Sequence, residues 1–172
     1  MSWVVRFAKS SIGAKYTMAL SGLVLLSFVL VHMLGNLQVF LGPEPYNRYA
    51  YFLKSTPELL WPARLTLLGM VMLHIVCGVR LAALNKAARP QSYKKRRYRA
   101  ASWMSRYMIA SGLLILGFIV YHLMHFTLGV TDPSHYEIKD PLGHHDVFSM
   151  LVYGFQNPYV SGFYIAAMLS LL

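Results

Sequence analysis

Four of the seven histidines, His32, His74, His122 and His125, sit inside long apolar runs, where a polar ring is costly and tends to mark a site. Two of them end copies of one segment. Met18–His32 reads MALSGLVLLSFVLVH and Met108–His122 reads MIASGLLILGFIVYH, ninety positions apart and identical at seven of fifteen positions. Imidazoles at corresponding places in two helices point to a shared ligand. A zinc or copper site wants three or four clustered donors, usually with cysteine or carboxylate among them, and the apolar runs offer no such cluster at this depth. The single cysteine, Cys77, reads as a small packing residue. Haem b needs only two axial imidazoles from facing helices. Gly22, Gly35, Gly69, Gly78, Gly112 and Gly117 supply small residues that let a macrocycle approach the backbones. A Cys-x-x-Cys-His attachment sequence is absent, so such a haem would be held non-covalently. Helix–helix hydrogen bonding and proton relay are the other readings of an imidazole in such a place.

The elements that must position these rings are long apolar helices. The 172 residues are 56% hydrophobic and 13% charged, with a mean hydropathy of +0.46, which leaves little polar surface for a soluble domain. Four apolar runs, at 16–40, 59–84, 103–128 and 147–172, predict an all-α membrane protein, a transmembrane helix bundle with four spans. Each of the first three exceeds the roughly 20 residues needed to cross a bilayer core. The short alternating segments of a β-barrel are absent. The first run is longer than a signal-peptide core and lacks an Ala-x-Ala site, so it reads as a span.

Charge sets sidedness. The N-terminal segment and the region Arg80–Arg106 hold 12 of the 16 Lys and Arg residues and none of the six acidic ones, which places both in the cytoplasm. The net charge of +10 is therefore a topological signal. The run Lys94-Lys95-Arg96-Arg97-Tyr98-Arg99 suits anionic lipid or a cytoplasmic partner rather than nucleic acid. With this orientation His32 lies sixteen residues beyond Tyr16, roughly 24 Å along its helix, and His122 falls in the same outer half. His74 falls in the inner half. His32 and His122 are expected to face each other, leaving His74 without a partner in view.

His125 lies three residues after His122 on nearly the same helix face. The repeat selects His122, and His125 is left to line a quinone site, touch a haem propionate or reach interfacial water. His135, His144 and His145 fall in an acidic outer connection and read as solvated. Glu58 is the carboxylate available near the outer end of the second span. It reads either as a proton donor or acceptor beside a quinone, or as a first-turn acid in a helix capped by Thr56. Trp61, Tyr46, Tyr49 and Tyr51 read as an interfacial aromatic belt.

The succession VHMLGN around His32, LHIVCG around His74 and YHLMHFT around His122 resembles the diheme cytochrome b anchor of succinate dehydrogenases and fumarate reductases. Lys86-Ala-Ala-Arg-Pro90 and Ser111-Gly112 fit the same pattern, and the resemblance covers nearly the whole chain. It implies five transmembrane helices and four axial histidines. By position, His32 and His122 would hold the iron of an outer haem b, and His74 that of an inner one with a histidine beyond Leu172. The chain stops inside an apolar run, so the fourth span is expected to be incomplete. The resemblance also implies a non-catalytic electron-transfer subunit in a bacterial cytoplasmic membrane, with its N-terminus inside. It would connect flavoprotein and iron–sulfur subunits to a membrane quinone, menaquinone by family analogy, in either direction. Arg80, Lys86, Arg89 and Lys94 to Arg99 would form the face toward the iron–sulfur subunit. Arg80 would meet an inner-haem propionate or snorkel to the headgroups. A cytochrome b of a hydrogenase or formate dehydrogenase is the alternative, fitting these phrases less well. A proton-coupled transporter would favour broken helices and acidic residues at mid-span, and no acid lies there.

Overall fold

The polypeptide alternates long apolar helices with short polar connections, and the computed structural model describes residues 2–88, 91 and 100–170 of it. In chain order the helices are α1 (Trp3–Lys9), α2 (Ser11–Asn36), a 3-10 turn (Leu37–Leu41), α3 (Pro43–Ser55), α4 (Pro57–Ala87) and α5 (Trp103–His122). A π-helical turn (Leu123–Thr127), α6 (Pro133–Tyr136), α7 (Val147–Gln156) and α8 (Pro158–Leu169) follow. Among the described residues there is no strand, only an isolated bridge between Lys139 and His145.

Three segments are long and apolar enough to cross a bilayer: Ser11–Leu41, Pro57–Ala87 and Ser105–Thr127. They coincide with the first three apolar runs. Their large side chains, among them Leu20, Leu23, Leu30, Leu65, Leu68, Ile109 and Leu113, are exposed, a surface suited to lipid and not to water.

The fourth run is not the single helix expected from the sequence. It breaks at Asn157 into α7 and α8. Pro158 disfavours helical geometry at the residue before it, and Asn157 adopts φ −72°, ψ 116°. The Asn157 side chain then accepts a bond from the Tyr159 N–H, supplying one of the partners that the interrupted helix would have provided. Pro62 does not end α4, and the preceding Trp61 has no side-chain acceptor to offer a competing cap.

The chain divides into two units. One is Met1–Leu37 with Leu53–Arg96, and its core is the packing of α2 against α4. Ala14, Cys77 and Leu81 are buried together with Met18 packed on them, so Cys77 is the packing residue its chemistry suggested. Arg80 donates from its guanidinium to the carbonyls of Ala8 (3.2 Å) and Lys9. A cation at the C-terminal end of α1 complements the unpaired carbonyls there. Arg80 is thus engaged by its own chain. Its neighbours in the basic face, Arg89 and Lys94 to Arg99, lie outside the described residues, as does Leu172.

The other unit is Gln38–Phe52 with Arg97–Leu172. Asn47 fastens α3 to the start of α7: its amide donates to Asp146 (2.8 Å) and its carbonyl accepts from the Phe148 N–H (2.9 Å). Asp146 also caps α7 through the Ser149 N–H (3.0 Å) and hydroxyl (2.6 Å). Desolvation opposes ionisation of Asp146, but the bonds from Ser149 and Asn47 and the nearby His145 outweigh it and hold its carboxyl below the ordinary range. Tyr46 is buried in this unit and does not join an interfacial belt; burial pushes its hydroxyl pKa up, with Tyr49 adding to the shift. The histidines of the acidic connection between α5 and α7 have partners rather than being merely solvated. His135 sits 2.6 Å from Asp132, His144 lies 3.6 Å from Asp140, and Tyr51 packs on the His144 ring at 4.1 Å.

Candidate ligand-binding histidines

The repeat in sequence is a repeat in local geometry. In α2 Phe28 stacks on His32 with ring centroids 5.3 Å apart, and in α5 Phe118 stacks on His122 at 5.7 Å, the rings tilted by 24° and 22°. Ser21 returns its hydroxyl to the Met18 carbonyl at 3.0 Å, and Ser111 does the same to Met108 at 3.2 Å. Both segments therefore place an imidazole one helical turn beyond a phenyl ring that fixes its orientation.

His74 is held by α2. Its Nδ1 lies 3.1 Å from the Met18 carbonyl and 3.2 Å from the Ser21 hydroxyl, which is buried at 2% exposure. A carbonyl oxygen only accepts, so Nδ1 carries the proton and Nε2 carries the lone pair. Gly22 lets the ring lie directly on the α2 backbone, since a Cβ there would stand 3.2 Å from His74 Cε1. Gly22 and Gly78 thus serve the packing of α2 with α4, the latter facing Met18 Sδ. At Gly69, Gly112 and Gly117 an added Cβ would meet nothing within 4 Å, so these faces are open.

His32 lies on an exposed face of α2, where the Asn36 amide donates to the His32 carbonyl at 2.7 Å and approaches its ring nitrogens at 3.4 Å. His32 belongs to the first unit and His122 to the second.

His125 departs most from expectation. It is buried at 3% exposure and does not reach interfacial water. The π-turn is responsible: the Leu128 N–H bonds to the Leu123 carbonyl at 2.9 Å, five residues back instead of four, and the wider turn changes the face on which His125 stands. The ring stacks on Phe126 at 4.0 Å and lies against Gly154, where a Cβ would come within 3.1 Å of Nε2. Tyr164, from α8, places its hydroxyl 3.3 Å from the Nδ1 of His125 and 3.3 Å from the Nδ1 of His122. Tyr121, Phe155 and Phe163 close the surround with edge-on rings. Tyr164 was missed in the sequence; its signal is a hydroxyl in an apolar run that also lacks histidine.

Glu58 occupies the first turn of α4 and is exposed. Thr56 makes no side-chain cap; its hydroxyl turns back to the Leu53 carbonyl at 3.3 Å, and Pro57 at the first helical position needs no cap for its nitrogen. Arg64 packs over the Trp61 ring at 5.5 Å.

Among the described residues, no group of three or more His, Cys, Asp or Glu could hold a bare metal ion. The donors are imidazoles, with Nδ1 of His74 against the Met18 carbonyl and Nδ1 of His122 and of His125 against the Tyr164 hydroxyl. In comparisons with known proteins, no family model, curated protein or solved structure matches this chain.

Proposed function

We propose that this chain is a membrane anchor that binds haem b and passes electrons between an iron–sulfur partner and membrane quinone, in the manner of a succinate dehydrogenase or fumarate reductase cytochrome b. The observation that carries the reading is the setting of His74. A ring nitrogen donating to a carbonyl fixes the tautomer and raises the basicity of the opposite nitrogen, which is how axial imidazoles are prepared. The matched Phe28–His32 and Phe118–His122 stacks support one shared ligand for the repeated pair. The open helix faces at Gly69, Gly112 and Gly117 offer room for a macrocycle.

Bound haem would supply reversible one-electron chemistry, with its potential set by axial ligands and burial. The chain's own residues orient and insulate. Met18 and Ser21 hold His74; Phe28 and Phe118 fix the rings of His32 and His122; the apolar helices exclude water. The four-span topology, an N-terminus in the cytoplasm, a bacterial inner membrane and menaquinone as the acceptor belong to the same proposal. So does a flavoprotein–iron–sulfur partner on the basic face.

A redox-titrated absorption spectrum of the purified protein tests it. A b-type α-band is expected, and His32→Ala and His122→Ala should each remove the same spectral component, which His74→Ala leaves in place. An absent α-band, or loss of different components in the first two variants, overturns the assignment.

A further inference from the structure

We propose that Tyr164 is a positioning residue that forces His122 and His125 into opposite tautomers, leaving only one of them able to present a bare Nε2. The phenol has one proton and stands at hydrogen-bond distance from both Nδ1 atoms. It donates to one ring and accepts from the other. If both rings donated to it, its own proton would be left in apolar surroundings with no acceptor among the described residues, at the cost of an unmade hydrogen bond. If neither donated, it could satisfy only one.

The surroundings decide which ring is which when a ligand is present. His125 Nε2 lies against the Gly154 backbone, where even an added Cβ would stand only 3.1 Å away, so a planar macrocycle has no room between them. His122 is only half-buried. Ligation at His122, which rests on the proposed haem function, requires its proton on Nδ1, donating to Tyr164. Tyr164 then donates to His125 Nδ1, and the His125 proton moves to Nε2. The choice of His122 over His125 is thus made by a residue on another helix, and it leaves His125 Nε2 protonated and no longer a competing ligand.

The coupling is read without haem. In the haem-free full-length protein labelled with ¹⁵N-histidine, ring nitrogen shifts report the tautomer of each residue, with His122→Ala and His125→Ala for assignment. The Nδ1–H populations of His122 and His125 should sum to one. In Tyr164→Phe this constraint is lost, both rings relax independently toward the ordinary Nε2–H form, and the summed Nδ1–H population falls well below one. Wild-type populations summing to zero or two, or sums unchanged in Tyr164→Phe, overturn the proposal. Haem titration of the same two proteins gives the dependent readout: Tyr164→Phe should keep the outer haem but raise its midpoint potential, because the axial ring loses its acceptor. Failure of the wild type to bind haem would sink the proposed function and leave the tautomer result standing.

Discussion

Replacing Gly22 by alanine sets two opposed effects against each other, and the seating of His74 decides the sign. Both α2 and α4 are long helices, and alanine is preferred to glycine in a helix interior by about 1 kcal/mol. At Gly78 nothing opposes this gain. An added Cβ meets only Met18 Sδ at 3.9 Å, an ordinary contact, so Gly78→Ala should stabilise by up to about 1 kcal/mol. At Gly22 the same methyl stands 3.2 Å from His74 Cε1 and 3.5 Å from Nδ1, and the ring must retreat by a few tenths of an ångström. It is already held at 3.1 Å and 3.2 Å by Met18 and Ser21, so retreat stretches both contacts. Weakening a buried hydrogen bond costs about 1 kcal/mol, and overpacking adds about 1–3 kcal/mol. Gly22→Ala should therefore destabilise by roughly 1–3 kcal/mol after the helix gain is deducted. The two alanine variants should then differ by about 2–4 kcal/mol although they lie in one helix pair. Unfolding of the haem-free protein in mixed micelles titrated with dodecyl sulfate, followed by far-ultraviolet circular dichroism, measures both. A Gly22→Ala variant as stable as Gly78→Ala would show that His74 does not rest on the α2 backbone.

Asp146 has a folded pKa below its ordinary 3.8, so the stability it contributes is fully present above that value and is lost as pH falls through the folded pKa. Protection of the Phe148 amide, taken relative to its intrinsic exchange rate, should fall below about pH 4 in the wild type, while in Asp146→Asn it should be low already and change little with pH. Arg80→Gln should remove the guanidinium bonds to the Ala8 and Lys9 carbonyls and raise amide exchange across Trp3–Lys9, with Cys77 and Leu81 unaffected. Unchanged exchange in α1, with a shifted haem potential instead, would return Arg80 to the propionate role.

The sequence carried the three long spans because length and apolar composition alone determine them, and local context can move their ends by only a few residues. It also carried the His32–His122 correspondence, which survives as two matched ring stacks. Where it misled, the deciding interaction was either a backbone choice between close alternatives or a contact between distant segments. Asn157-Pro158 is a break signal that an apolar run of 147–172 conceals, since hydropathy averages over the two residues that matter. Arg80 has the same composition-level reading whether it meets lipid, propionate or carbonyl, and its bond to the Ala8 carbonyl depends on the path of α1.

The π-turn is the most consequential of these. On a regular α-helix His122 and His125 share a face, and no sequence rule separates them beyond alignment with His32. One hydrogen bond reaching back five residues instead of four moves His125 to a buried setting against Gly154 and leaves His122 half-buried. Tyr164 then converts that difference in surroundings into a difference in protonation, reaching both rings from a helix that begins thirty-three residues after His125. A single polar residue in α8 accordingly does what the duplicated segment cannot do by itself. The repeat supplies two equivalent imidazoles, and the break at Asn157 starts the helix whose tyrosine distinguishes the second of them from its neighbour.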